Sequence, residues 1–144
     1  MTDYSKLLSS RRMERGVFSH SQVESCLGIA ERDLLAARAM LTASPDWALN
    51  IVYNAMHQAG RALMFHEGFR TTGMGHHATV VRFLELAMGR EHGETLSLLD
   101  HMRRKRNRAT YDAPDTVSID EARAAIPVAV EFVAEIRRRV GTPK

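Results

Sequence analysis

The stretch Leu49-Asn50-Ile51-Val52-Tyr53-Asn54-Ala55-Met56-His57-Gln58-Ala59-Gly60-Arg61-Ala62-Leu63 decides the fold class. Leu49, Val52, Tyr53, Met56, Ala59, Gly60 and Leu63 recur at three- and four-residue intervals, which places them on one face of an α-helix. Gly60 costs helix propensity within that face, so another helix is expected to cross closely there. Just upstream, Ser44-Pro45-Asp46 supplies a capping hydroxyl and a first-turn proline, closing one helix and opening this one.

The same periodicity extends in both directions. Val23, Leu27, Ala30, Leu34, Ala37 and Leu41 form an earlier stripe, with a capping box expected at Ser21 and Glu24. Gly68 and then Thr71-Thr72-Gly73-Met74-Gly75 read as a loop. A shorter helix over about 77–88 follows, and 89–93 break it. The next helix spans about Glu94 to Tyr111 and ends at Asp112-Ala113-Pro114-Asp115, because proline cannot continue it. Ser118 and Glu121 predict a second capping box. The helix behind it carries Ala122, Ile126, Ala129, Val133, Ile136 and Val140 on one side, with a kink expected at Pro127. No segment alternates with period two. The fold class is therefore all-α, an antiparallel up-and-down bundle of five to six helices joined by short connections.

The 144 residues fit one domain over 1–144, with a core over about 20–140 and an N-terminal extension or short helix over 1–18. A chain of this size folds without disulfide or metal support. Its 44% hydrophobic and 26% charged residues exclude a disordered or fibrous chain. One cysteine, Cys26, excludes an internal disulfide and a Cys-rich zinc site; it reads as a structural thiol in a reducing, cytoplasmic setting. The start, Met1 to Arg15, is polar and basic, unlike a secretory leader, and no apolar run approaches the roughly 20 residues of a membrane span. Among His57, His66, His76, His77, His92 and His101 no pair has the spacing of two ligands on one helix turn, so no metal and no cofactor is expected. The eight methionines read as core filling, and Trp47 and Tyr53 as core or dimer-contact residues.

Twenty basic residues against seventeen acidic ones leave a formal charge of +3, a weak average field. The surplus is concentrated. Arg103-Arg104-Lys105-Arg106-Asn107-Arg108 packs five cations into six positions. Arg106 falls on the apolar stripe of Leu99, Met102 and Ala109, and an arginine there must be paired or serve a ligand. Asn107 and Tyr111 lie one turn apart, at contact distance on a helix. A guanidinium, an amide and a phenol together suit a phosphate with its ribose or base. The plainer reading is a solvated face whose cations complement the helix C-terminal dipole, with Tyr111 stacked on Arg108.

Late in a helical bundle, the string Arg106-Asn107-Arg108-Ala109-Thr110-Tyr111-Asp112 resembles the signature of the HEPN family (higher eukaryotes and prokaryotes nucleotide-binding domains). Tyr53-Asn54-Ala55-Met56-His57-Gln58-Ala59-Gly60-Arg61-Ala62-Leu63 is similar to the family's Tyr-x-Ala-x-x-x-Ala-x-Arg-Ala-Leu helix. A loop glycine followed by His76 or His77, and the helix start Ser118-Ile119-Asp120-Glu121-Ala122, extend the likeness over about residues 20–140. The resemblance implies a homodimer with two copies of the motif across a shared cleft. Many such proteins are metal-independent endoribonucleases of toxin–antitoxin or anti-phage modules; others are non-catalytic partners of small nucleotidyltransferases.

Carried onto this chain, the resemblance implies Arg106, Asn107 and Tyr111 as the catalytic set. Arg103, Arg104, Lys105 and Arg108 are then expected to hold RNA phosphates. The family's catalytic motif has a histidine where Tyr111 stands. A phenol with a pKa about 10 is a poor base near pH 7, where imidazole exchanges protons readily. The alternatives are therefore a non-catalytic partner that presents a nucleotide or a modifiable tyrosine to a nucleotidyltransferase, and a structural helical dimer. Expected partners are a second copy of the chain, RNA or a nucleotide, and a cognate antitoxin or nucleotidyltransferase, with no membrane.

Overall fold

A computed structural model of the chain describes residues 2–111 and 117–141, and for residues 107–111 the backbone alone. Ser44 caps the central helix as its sequence predicts: its side chain accepts the Trp47 N–H at 3.2 Å, and Pro45 takes the first helical position. This helix, α3, runs Pro45–His66, and the whole predicted face is buried. Around it pack α2 (His20–Met40), α4 (His76–Met88), α5 (Gly93–Tyr111) and α6 (Ile119–Val140). A Cβ on Gly60 would lie 2.8 Å from Leu84 Cδ1 and 2.8 Å from Val80 Cγ1, so the missing side chain is what lets α4 close on α3.

Capping differs from expectation at α2. Ser19, not Ser21, is the cap: it accepts the Gln22 N–H at 3.2 Å while Gln22 Oε1 accepts the Ser19 N–H at 2.8 Å. Glu24 is drawn away instead to Arg137 of α6, at 3.1 Å, and Arg137 also reaches Glu31 at 2.9 Å, fastening α6 along α2. At α6, Ser118 accepts the Glu121 N–H at 3.1 Å, but the Glu121 carboxylate turns to Lys105 at 2.8 Å. Half the capping box thus becomes a tie between α5 and α6. That last helix passes through Pro127 as one element.

The N-terminal extension holds a five-residue helix, α1 (Ser5–Ser9), and a strand, β1 (Met13–Arg15). The strand pairs antiparallel with β2 (Phe69–Thr71), Met13 opposite Thr71 and Arg15 opposite Phe69, so part of the predicted 68–75 loop is strand. Three residues are too few to show alternation. Tyr4 stacks on Phe83 and donates its hydroxyl to Glu67 at 2.7 Å, pinning this segment to the bundle.

The core is continuous and helical, built from Leu27, Tyr53, Met56, Phe83, Leu84, Leu99, Met102 and Ile136 among others. The structure is thus the all-α bundle that the sequence predicts, with a minimal two-stranded addition. Cys26 is buried, and burial pushes its thiol up. Trp47, expected in the core or at a dimer contact, is 59% exposed and is not a core residue. Among the described residues no helix is long and apolar enough to cross a membrane.

Candidate functional site

Leu96, Leu99 and Met102 give α5 its buried face against the bundle. One turn beyond Met102 the stripe continues through Arg106, which is half-buried. Its guanidinium lies over the ring of Tyr53, 5.8 Å from the centroid, the arrangement of a cation–π contact. Tyr53 is itself 1% exposed, and its hydroxyl meets His77 Nδ1 at 2.7 Å. His77 stands in the first turn of α4, which α3 and the Gly60 crossing hold in place. One turn along α3 from Tyr53, His57 stacks on His77 with ring centroids 4.2 Å apart. Three near-parallel rings from two helices thus form a wall behind Arg106.

The electrostatics of this wall are dominated by burial. Loss of solvent pushes the Tyr53 phenol up to about 12, against the pull of Arg106 and Arg103. Burial first, then His77, Arg61, Arg106 and His76, push His57 down to about 3. His77 is lowered as well, by burial and then by Arg106, His76 and Arg103. At neutral pH all three rings are uncharged, and Arg106 provides the positive charge. The Tyr53 hydroxyl and His77 Nδ1 share one hydrogen bond, and the His77 tautomer sets which of them donates.

On its other side Arg106 lines a cavity of about 380 Å³ between α2 and the first half of α3, together with Arg32, Asp33, Trp47 and Asn54. The Asn54 amide donates to Asp33 Oδ2 at 2.7 Å, and Arg32 pairs with Asp33 Oδ1 at 3.1 Å. Asp33 is therefore a buried carboxylate with both oxygens engaged.

The predicted phosphate-binding residues divide. Arg103 pairs with Asp100 at 2.9 Å, Arg104 with the same carboxylate at 3.2 Å, and Lys105 with Glu121 at 2.8 Å. They are balanced by acids rather than forming a bare cationic ridge. Arg106 has no carboxylate partner among the described residues. Asn107, Arg108 and Tyr111 sit on the last turns of α5, and their side chains lie outside the described residues.

Sequence reasoning missed His57 and His77 as a pair and Asp33–Asn54 as a cavity wall. Each pair joins different helices, which no local spacing reveals. The one available signal was His57 itself, polar yet flanked on α3 by the buried Met56 and Ala59. Among the described residues no three His, Cys, Asp or Glu side chains gather as a metal site.

The HEPN domain family model matches residues 23–139, which spans α2 to α6 and includes the Arg106 segment. The chain is also similar to the crystal structure of an archaeal HEPN homologue, with a TM-score of 0.64 and 17% identity. That match covers 83% of this chain and 98% of the other, and at such identity it is a likeness of fold. No curated protein sequence matches the chain.

Proposed function

The chain belongs to the HEPN domain family, and from that premise we propose that it is an RNA- or nucleotide-phosphate-binding protein. Its proposed work is that of a metal-independent endoribonuclease, the toxin or effector of a toxin–antitoxin or anti-phage module. One observation carries this reading: Arg106 is held over the Tyr53 ring at the edge of a cavity, with no carboxylate neutralising it among the described residues. A guanidinium so placed is pre-organised for a phosphate, since its fork matches two phosphate oxygens.

In the reaction, the RNA 2′-hydroxyl attacks the adjacent phosphorus and the bond to the 5′-oxygen breaks, leaving a cyclic phosphate and a 5′-hydroxyl. Arg106 stabilises the charge that builds on the phosphate oxygens, and Asn107 orients the group. Tyr111 is protonated near pH 7 and so serves the acid half, giving a proton to the leaving oxygen while the 2′ proton passes to water. A homodimer sets two such helix ends across one cleft by symmetry, so that two copies of Arg106 face one RNA.

The test is incubation of the purified protein with transfer RNA or total RNA in EDTA, beside Arg106→Ala. Cleavage that Arg106→Ala abolishes supports the ribonuclease. RNA left intact by both proteins removes the enzymatic claim, and failure to bind RNA or nucleotide removes the binding claim too. A second reading, favoured by Tyr111 in the position of the motif histidine, is a non-catalytic partner of a small nucleotidyltransferase that presents a nucleotide or its tyrosine. Co-purification with the product of a neighbouring nucleotidyltransferase gene, and labelling of Tyr111 by it, would support that reading.

A further inference from the structure

We propose that the cavity between α2 and α3 is a nucleobase subsite, with Trp47 as the stacking platform and Arg106 holding the attached phosphate. The idea rests on the phosphate-binding reading above and deepens it by naming where the base goes. Trp47 sits in the first turn of α3, and the residues after it, Ala48 and Leu49, are buried. The tryptophan alone is left 59% in solvent at the rim of a cavity that has Arg106 in its wall. An exposed indole beside a cation is the arrangement that single-stranded nucleic acid sites use: the ring takes a base face and the cation takes the backbone.

The opposite wall orients the ligand. Asp33 is charge-balanced by Arg32, whereas Arg106, over the ring of Tyr53, has no carboxylate partner among the described residues, so the phosphate belongs at Arg106 beside Asn54 and the base at Trp47, about two turns earlier on α3. Asn54 is fixed by its 2.7 Å hydrogen bond to Asp33. That bond uses one amide proton and leaves the carbonyl oxygen and the second N–H, an acceptor and a donor suited to the sugar hydroxyls next to the phosphate. The cavity of about 380 Å³ falls within the size range of small-molecule sites. Base, sugar and phosphate can then run from Trp47, past Asn54, to Arg106.

Trp47 is the chain's single tryptophan, so its fluorescence reports this site directly. The full-length protein in EDTA is titrated with an eight-nucleotide oligoadenylate RNA, with an abasic sugar–phosphate octamer, and with AMP. The oligoadenylate should quench Trp47 and bind about fivefold or more tightly than the abasic chain, the range expected for one base stacked on an aromatic ring. Trp47→Ala should weaken oligoadenylate by a similar factor and leave abasic binding unchanged, while Trp47→Phe retains most of the affinity. Quenching by AMP at comparable concentration makes a free nucleotide the ligand; quenching by the oligomer alone makes it an RNA chain. If oligoadenylate binds without quenching and Trp47→Ala binds it equally well, the subsite is wrong and the phosphate reading stands. If no probe binds, both fail. If Trp47→Ala instead turns a dimer into a monomer in sedimentation, Trp47 is a protein contact and the subsite is overturned.

Discussion

His57 and His77 stack with their rings 4.2 Å apart and 17° from parallel, one from α3 and one from α4. Such a pair is stable only while both rings are neutral, because Arg61, Arg103 and Arg106 already surround it with positive charge. Arg106 is thus linked to the packing of α4 through Tyr53 and His77, and the state of the stack bears on the guanidinium.

Acid should therefore loosen the fold at this stack. In the unfolded chain His57 takes its proton near its ordinary value of 6.5, whereas in the fold it does so only near about 3. Between these values the unfolded state binds more protons, so stability rises with pH; the contribution is complete above 6.5 and is lost progressively as pH falls toward 3. At pH 4.5 the loss amounts to about 3 kcal/mol. Urea denaturation of the wild type and His57→Phe at pH 7 and pH 4.5 checks this. The variant should be relatively more stable at the lower pH, and an equal acid loss in both proteins would refute the assignment.

Tyr53 does two things that substitution separates. Tyr53→Phe keeps the ring under Arg106 and removes the hydroxyl that meets His77 Nδ1 at 2.7 Å. It should cost about 1 kcal/mol, the value of one buried hydrogen bond. RNA affinity should hardly change, because Arg106 keeps its platform. Tyr53→Ala removes a fully buried ring and should cost about 3–5 kcal/mol. Thermal melts together with RNA titration distinguish the two effects.

Long periodic faces were legible in the sequence and cross-helix meetings were not. The buried face of α3 was readable because seven positions repeat the same spacing, and Gly60 within it announced the α4 crossing that Val80 and Leu84 make. Arg106 was placed on the apolar stripe of α5 by the same logic, yet nothing local says that Tyr53 lies beneath it. The pairing of β1 with β2 escaped because three residues carry no pattern. The capping box expected at Ser21 and Glu24 forms instead at Ser19 and Gln22, because Glu24 is drawn to Arg137 of α6, a partner that no local spacing reveals. Asp100 stands three and four residues before Arg103 and Arg104, so those ion pairs were readable at helical spacing. Glu121 on Lys105 was not, because it comes from α6.

Gly60 provides a packing test independent of the site. Val80 and Leu84 are buried and hold the space a side chain would need, with a Cβ at 2.8 Å from each. Gly60→Ala gains helix propensity of about 1 kcal/mol, which offsets part of the clash. Gly60→Val adds two more carbons against α4 and should destabilise by about 2 kcal/mol or more. Because α4 carries His77, the valine variant should also weaken the Tyr53–His77 contact, visible as an altered titration of the His77 ring in NMR spectra.

The cations of α5 should contribute unequally to RNA binding, and salt dependence measures the inequality. Arg103 and Arg104 share Asp100, so an RNA phosphate must compete with a carboxylate already 2.9 and 3.2 Å away. Removing either one also leaves Asp100 less compensated, so the net loss in affinity should be small. Arg106 faces no such competitor among the described residues. Arg106→Ala should lower affinity at least tenfold and reduce the slope of log affinity against log salt by about 0.7, the contribution of one contact to a single strand. Asp100→Asn removes the competitor while preserving the side-chain shape. It should raise RNA affinity and steepen the salt slope as Arg103 and Arg104 become available. Binding to a labelled single-stranded RNA across a range of potassium chloride concentrations measures all these slopes. An Asp100→Asn slope no steeper than wild type would show that Arg103 and Arg104 serve only the helix.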